Sequence, residues 1–540
     1  MIIMGLHSSF HSKSHDSSCS IVIDGRVLAC VEEERFNRKK SSVGYPPVAS
    51  IKSCLEIAGL TFDEIDIIVS DGTTYPLMQE KVSNHLYSLF SRKKKVELIS
   101  QSDCHLWGTF FHSGFEESLV FDVEGVGDNV ASKVSLFSRK SGKRRETVLY
   151  ESGPSTSLGI LYTLVTQFLG FEAIEGEYKV MGMAAYGTPK HDFTKIIDFD
   201  EDKGEFTGDI TRFYSKVPQT SIAEVYADIG TLELFFRTSS RRPSSPPSKE
   251  HFDIAASLQL HFESLITRFV SYWVEKTNVT YVCLSGGCAL NAVANMKLCS
   301  LPLSGFFVMP ASSDRGVSLG AAVAYSERSE VQVAPVGDMY LGKSYSLSDI
   351  EKEVKSNTLK YKFSKNRDSD IACDIERGLI VGSFTGRSEF GPRALGARSI
   401  LANPRIKGMK DHLNARIKFR EEFRPFAPAL IQDSVTNPFP FANLEYMTTT
   451  IPISDSEINF FPEAVHSDGT SRVQLVSKAN HILGPTLLAI GEKTGHPSVI
   501  NTSFNLRGEP IVESPRDAIR TFFGSGMDVL YLEDIKLSKS

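Results

Sequence analysis

One strand-and-loop pattern occurs twice in this chain, and the repeat limits its architecture more than any other feature. The first copy opens with an apolar strand at Ile2–Gly5 and a polar turn rich in Ser and His. It continues as strand Cys19–Ile23, turn Asp24-Gly25-Arg26 and strand Val27–Glu33. The second copy begins at Ser118 and reads SLVFDVEGVGDNVASKVSLFSRKSGKRRETVLYES: strand, acidic glycine turn, strand, basic turn, strand. A helical pattern follows each copy, at Pro47–Leu60 and Leu158–Phe168. Apolar runs bounded by Gly, Asp and Asn read as strands joined by tight turns.

A duplicated strand–hairpin–strand unit followed by helices is the layout of the actin-like, sugar-kinase-like ATPase fold. There, two related lobes aim their first hairpin loops at the phosphates of one nucleotide. Further along, RTSSRRPSSPPSKE reads as a loop, and Phe252–Lys276 as a long helix leading to strand Val279–Leu284. A linker-like stretch near Val331–Gly342 divides the chain into an expected domain over residues 1–335, a linker at 336–346 and a second domain over 347–540.

The second domain carries a dense basic segment, GRSEFGPRALGARSILANPRIKGMKDHLNARIKFREEFR, from Gly386 to Arg424. The whole chain has a formal net charge of -6, so cations this concentrated need an anion nearby. Arginine forks grip phosphate or carboxylate through paired hydrogen bonds. The apolar run FRPFAPAL follows at once, which a solvated basic tail would not carry. The expected anion is therefore a small phosphorylated ligand in a pocket, not a nucleic acid.

Several shorter motifs add candidate chemistry. SGGCALN (Ser285–Asn291) follows an apolar strand and opens a helix, an arrangement that leaves backbone N–H groups free for phosphate, or that is simply a tight turn. PASSDRGVSLGAA repeats the form, and GEYKVMGMAAYG (Gly176–Gly187) is a third glycine-punctuated loop or a helix with buried Met. His15-Asp16, with His7 and His11 nearby, offers a general base, a metal ligand or a capped turn. His105, the loop carboxylates Glu124 and Asp128, and Asp314 together suit a divalent transition metal, with ordinary packing as the alternative. Asn501-Thr-Ser-Phe-Asn505 ends a strand with small polar groups that fit phosphate or adenine, or an Asx turn. The eight cysteines form no C-x-x-C pair and read as buried free thiols in a reducing compartment. No apolar run approaches the roughly 20 residues that span a bilayer, and the start lacks a signal peptide's layout. The expectation is a cytoplasmic protein with no membrane partner.

Taken in order, eight blocks resemble those of the O-carbamoyltransferase family of nodulation, cephamycin and tobramycin carbamoyltransferases, over nearly the whole chain. They are HDSSCSIVIDGRVLACVEEERFNRKK, EYKVMGMAAYG, SGGCALN, PASSDRGVSLGAA, GRSEFGPRALGARSILANPR, KFREEFRPFAP, DGTSRVQ and NTSFNLRGEPIV. The resemblance implies an actin-like N-terminal domain similar to the tRNA threonylcarbamoyl transferase and an α/β YrdC-like C-terminal domain. It implies that carbamoyl phosphate and ATP, with Mg2+, form carbamoyl-adenylate in the C-terminal domain. The N-terminal domain would then pass the carbamoyl group to a hydroxyl of a sugar or natural product. By position, Arg393, Lys418, Arg424, Arg472 and Ser503 would bind carbamoyl phosphate, with Lys418 and Arg424 at the reacting groups. Arg398, Asn501 and Asn505 would assist ATP, while Gly286, Gly287, Asn291 and Lys179 would hold the adenylate. His15, with Asp16 beside it, would be the base for the acceptor hydroxyl.

The metal site implied by the family departs from its pattern here. His105 and Asp314 are kept, but Gln101 stands for a first histidine and Glu124 for an aspartate. Fe2+, another divalent metal, or none remain open, because an amide is a poor ligand for a transition metal. Ser41 also replaces a histidine of the EERF block. Two other readings stand beside the transferase: a kinase or ATPase on the actin-like fold, and a non-catalytic relative with a decayed metal site. The acceptor and the oligomeric state are not legible.

Overall fold

The computed structural model describes residues 1–7, 14–140, 145–216, 225–421 and 423–539. His11 lies outside them. The chain folds as two compact units. The first comprises Met1–Glu33, Ser41–Gly337 and Phe441–Asn443; the second comprises Glu34–Lys40, Asp338–Pro440 and Leu444–Ser540.

In the first unit, strands β1 (Ile2–His7), β2 (Ser18–Ile23), β3 (Arg26–Glu32), β4 (Ile67–Ser70) and β5 (Val96–Leu98) form a sheet in the order β3-β2-β1-β4-β5. The hairpin partners are antiparallel, and β1, β4 and β5 run parallel. The second sheet repeats this. Strands β6 (Glu117–Gly127), β7 (Val130–Ser138) and β8 (Arg145–Ser152) form the antiparallel meander, and Tyr281–Ser285 and Gly305–Val308 extend it in parallel beyond β6. The same order and strand sense in both sheets make this the duplicated actin-like architecture. β1 and β2 are almost wholly buried, as strands covered on both faces must be.

Local signals set the helices that carry site residues. Gln101–Ser113 starts where the Ser100 side chain accepts from the Asp103 amide and stops at Gly114, φ 74°, an N-cap and a left-handed C-cap. Leu158–Phe168 is capped by Ser157 in the same way. The helices Gln101–Ser113 and Val317–Arg328 cross with almost no space between backbones: a Cβ on Gly320 would lie 2.0 Å from the Cys104 carbonyl oxygen. Only glycine permits that approach, and it draws the N-terminal ends of both helices together.

The second unit is built on an eight-stranded mixed sheet running from Lys362–Phe363 at one edge to Gln474–Val476 at the other. Helices Arg367–Glu376 and Gly484–Thr494 cover a core that includes Ile371, Val381, Leu401, Leu487, Val499 and Tyr531. This is the mixed α/β second half expected from the sequence. Two short segments depart from the sequence division of the chain. Glu34–Lys40 belongs to the second unit, because Arg35 donates to the Gly391 carbonyl (2.8 Å) and Arg38 to those of Pro510 (2.8 Å) and Ile511 (2.6 Å). Phe441–Asn443 belongs to the first, through main-chain hydrogen bonds with Phe306. Among the described residues, no helix is long and apolar enough to cross a membrane. All eight cysteines are free thiols; six are buried, while Cys288 and Cys373 are partly exposed.

Candidate functional site

In the first unit, titratable side chains converge where parallel strands end, the usual location of sites in open α/β sheets. His7 closes β1, and His15 and Asp16 precede β2. Asp71 follows β4, Gln101 and His105 open a helix, Asp122 and Glu124 lie on β6, and Asp314 starts the turn into Val317–Arg328. Asp314 is the hub. One of its carboxylate oxygens lies 3.7 Å from His7 Nε2 and 3.6 Å from His15 Nε2; the other lies 3.7 Å from His105 Nε2. The remaining imidazole nitrogens are held from behind. His7 Nδ1 is 3.0 Å from Asp71, and His15 Nδ1 is 3.3 Å from Asp16. Asp16 in turn sits 2.9 Å from the Arg315 guanidinium, which also reaches Glu32 at 3.3 Å.

Burial penalises charge throughout this cluster. It pushes the Glu124 carboxyl up to about 8, with Asp314 adding to the effect, and it raises Asp122. Asp314 goes the other way: burial raises it, but His15, His7 and His105 together hold it well below the carboxylate range. The imidazoles answer in kind. Burial opposes their charge, yet Asp71 carries His7 up to about 10, and Asp122, with Asp314 and Glu124, carries His105 up to about 9.

The donor atoms of this cluster fit a divalent cation. His105, Asp122 and Glu124 present ligand atoms within 4.8 Å of one another, and His105 Nε2 lies 3.4 Å from Glu124 Oε1. His105 Nε2 and Asp122 Oδ1 are buried without a hydrogen-bond partner among the described residues. One imidazole with several carboxylates suits a hard or borderline divalent ion. The Gln101 amide nitrogen donates to Asp314 Oδ1 at 2.7 Å, which commits the –NH2 and leaves only the carbonyl oxygen as a lone-pair donor. Asp122, which sequence reasoning missed, takes a place in the set; its spacing of two from Glu124 along one strand was the available signal. Asp122→Asn is expected to weaken divalent-cation binding by about 10- to 100-fold, as read by calorimetry with Mn2+ or Fe2+. An unchanged affinity would remove Asp122 from the set.

Other residues singled out in this unit have partners within the protein. Asp128 accepts the backbone N–H groups of Gln101 (2.8 Å), Gly72, Thr73 and Thr74, which ties it to turn geometry and not to a metal. The SGG turn differs from a free phosphate cradle, since the Gly287 N–H donates to Glu124 Oε1. Gly286 has φ 86°, and a Cβ there would lie 2.3 Å from the Val123 carbonyl oxygen. Asn291 accepts the Ala294 N–H as an N-cap and exchanges hydrogen bonds with Gln259. Lys179 lies with its ammonium 5.3 Å from the centre of the Phe171 ring. Ser41 donates to Glu175 at 2.9 Å.

The second unit gathers cations. Burial, with Arg393, Arg420 and Arg424 close by, pushes the Arg472 guanidinium well below its ordinary range. Burial likewise lowers Lys418, with Arg420, Arg424 and Lys40 adding to it. Lys418 Nζ donates to the Asn505 side chain (2.8 Å) and carbonyl (3.2 Å), and to the Ser503 hydroxyl (3.3 Å) and carbonyl. Arg393, Lys418, Arg424, Arg472, Ser503 and Asn505 are thus neighbours or bonded to neighbours, with Arg420 and Lys40 as additions. Lys418 ends a five-residue π-helical stretch, Asn414–Lys418, a distortion common at functional sites.

Two other expected ligands of this unit are posts. Arg398 is fully buried, with its guanidinium bonded to the carbonyls of Thr385 (2.9 Å), Lys343 (3.0 Å) and Gly386 and stacked on Phe384. Its two terminal nitrogens are committed to these carbonyls, while Nε is buried without a partner among the described residues. Arg398→Ala is expected to cost about 3–5 kcal/mol, measured by denaturant unfolding; a loss below about 1 kcal/mol would contradict the structural role. Asn501, 2% exposed, donates to the Ala394 carbonyl (3.1 Å) and Gln474 (2.7 Å).

The first unit's site pairs histidines and Arg315 with carboxylates, the second unit's gathers cations, and both arrangements suit the handling of charged groups by a two-unit α/β protein. Comparison with known proteins narrows the class. The Carbamoyltransferase N-terminus family model matches residues 3–99 and 75–323, and the Carbamoyltransferase C-terminus model matches residues 372–539. The chain belongs to the carbamoyltransferase family. Its relatives include the nodulation protein NolNO of Sinorhizobium fredii, 33% identical over 97% of this chain and 79% of that protein. Nodulation protein U of the same species is 34% identical over 92% of this chain and 93% of that protein. An uncharacterized Synechocystis protein is 31% identical over 100% and 97%. Among solved structures, component A of the (R)-2-hydroxyglutaryl-CoA dehydratase of Acidaminococcus fermentans aligns at 18% identity over 61% of this chain and 99% of that one, with a TM-score of 0.34.

Proposed function

We propose that this carbamoyltransferase works in two ATP-dependent steps. In the second unit, water hydrolyses carbamoyl phosphate to carbamate and inorganic phosphate, and the carbamate oxygen attacks the α-phosphorus of ATP, releasing pyrophosphate and forming carbamoyl-adenylate. In the first unit, an acceptor hydroxyl attacks the carbamoyl carbon, its proton passes to His15, and AMP leaves. The acceptor class is a sugar or natural-product alcohol.

The observation that carries this reading is the partly buried Arg472 with Arg393, Arg420 and Arg424 around it. Two polyanionic substrates repel each other, and fixed cations in a low-dielectric site offset that repulsion as the transition state forms. Arg393, Lys418, Arg424 and Arg472 would grip the phosphate of carbamoyl phosphate, and Ser503 and Asn505 would orient Lys418. In the first unit, His105, Asp122, Glu124 and Asp314 would hold a divalent cation, which when bound supplies Lewis-acid charge stabilisation. Asp16 and Arg315 keep the His15 ring in place.

The deciding experiment incubates the protein with ATP and carbamoyl phosphate. Pyrophosphate, and carbamoyl-adenylate or AMP, are expected to appear only when both substrates are present. Release of ADP without dependence on carbamoyl phosphate would instead identify a kinase or ATPase.

A further inference from the structure

A histidine near the cation cluster has no part in the scheme above. His466 lies in the loop before Thr470–Ser471, a short strand paired with Ile451–Pro452. The loop is closed by main-chain bonds from His466 N–H to the Thr470 carbonyl (2.8 Å) and from Gly469 N–H to the His466 carbonyl (3.1 Å). The Ser471 hydroxyl also donates to the Ala464 carbonyl at 2.8 Å.

The side chains of this loop decide where the imidazole proton sits. The Thr470 hydroxyl donates to Asp468 Oδ1 at 2.7 Å, and His466 Nδ1 lies 3.2 Å from the same hydroxyl oxygen. A hydroxyl has one hydrogen, and an ionised carboxylate only accepts. The Thr470 oxygen must therefore accept from His466 Nδ1–H. Burial, opposed by Asp468 and reinforced by Arg472 and Lys410, holds the ring down to about 4, so it is neutral at physiological pH. A neutral imidazole has a single N–H, and Nε2 is left with a bare lone pair. That nitrogen is buried and has no hydrogen-bond partner among the described residues.

A buried acceptor without a donor is costly, and each such group calls for an explanation. Here the acceptor belongs to the loop that runs through Thr470–Ser471 directly into Arg472. A ligand that satisfies both must carry an anion for the arginines and an N–H donor beside it. Carbamoyl phosphate has this pairing: a phosphate joined through the carbonyl carbon to –NH2. Acetyl phosphate puts a methyl group there, and inorganic phosphate has nothing.

We propose that His466 Nε2 accepts a hydrogen bond from the carbamoyl –NH2 and makes the donor site selective for carbamoyl phosphate over other acyl phosphates. The assignment rests on the reading of the second unit as the carbamoyl phosphate site. A site built to bond a substrate N–H rejects the analogue that lacks it, because the acceptor is then left unpaired. Thr470 and Asp468 are positioning residues, since they act only by fixing the tautomer.

The test compares wild type, His466→Ala and His466→Gln. Calorimetry measures binding of carbamoyl phosphate, acetyl phosphate and inorganic phosphate, and pyrophosphate release with ATP is followed for both acyl phosphates. His466→Ala is expected to lose roughly 10- to 100-fold in carbamoyl phosphate affinity, with inorganic phosphate affinity unchanged and acetyl phosphate affinity raised as the unpaired acceptor is removed. That unchanged phosphate affinity also reports an intact fold. His466→Gln, whose Oε1 reaches towards the Nε2 position, is expected to recover part of the preference. An equal fall for carbamoyl and inorganic phosphate, or a carbamoyl preference intact in His466→Ala, overturns the proposal while leaving the two-step reading standing. A wild type that neither binds carbamoyl phosphate nor releases pyrophosphate sinks that reading, and this one with it.

Discussion

His15→Asn is expected to release pyrophosphate from ATP and carbamoyl phosphate at the wild-type rate and to transfer the carbamoyl group about 10^2- to 10^4-fold more slowly. The substitution is chosen for its geometry. An asparagine amide can replace Nδ1 as the donor to Asp16, which lies 3.3 Å from that nitrogen. The Asp16–Arg315 pair at 2.9 Å then stays in place. What disappears is Nε2, the nitrogen on the Asp314 side. The loss should therefore fall on proton acceptance alone, not on the framework that holds the ring. Single-turnover assays that follow adenylate and carbamoylated product separately make the measurement. Equal loss of both steps would show that the two units do not divide the reaction.

Arg472→Met should do the opposite: cut pyrophosphate release by about 10^2- to 10^3-fold without lowering the melting temperature. The three charged neighbours that act on Arg472 are all arginines, and they join its burial in disfavouring the charge. Replacing a buried charge of this kind by an apolar side chain of similar length removes repulsion and desolvation cost together. Functional sites hold such unfavourable arrangements because the substrate relieves them. Carbamoyl phosphate should raise the melting temperature of wild type by mass action and leave that of the variant where it was. A variant that loses several degrees along with its activity would mark Arg472 as a strut.

Arg398 and Arg472 show why residue type alone did not separate the two roles. Both are arginines of the second unit; Arg398 is fully buried and Arg472 partly so. Arg398 meets the carbonyls of Thr385, Gly386 and Lys343, partners supplied by a turn and by a distant stretch of chain. Arg472 meets other cations. Gln101 and Asp122 carry the same lesson in the first unit. The helix that begins at Gln101 and contains His105 was not read from the sequence, nor was the direction of the Gln101 amide, because Asp314 arrives from more than two hundred positions away. Nothing local to Glu34–Lys40 announces that Arg35 and Arg38 bond to Gly391, Pro510 and Ile511.

Helix Leu158–Phe168 and the two repeated hairpins were readable because caps, turns and apolar period are local properties of the chain. The eight ordered blocks likewise carried the family. By itself, then, the sequence determined the duplicated α/β architecture, the carbamoyltransferase family and the supply of cations in the second unit. Tertiary structure alone decided which carboxylates share a point with His105, which arginines are posts, and which tautomer His466 adopts. A side chain's role depends on the partner that burial forces on it, and those partners come from segments that only folding brings together.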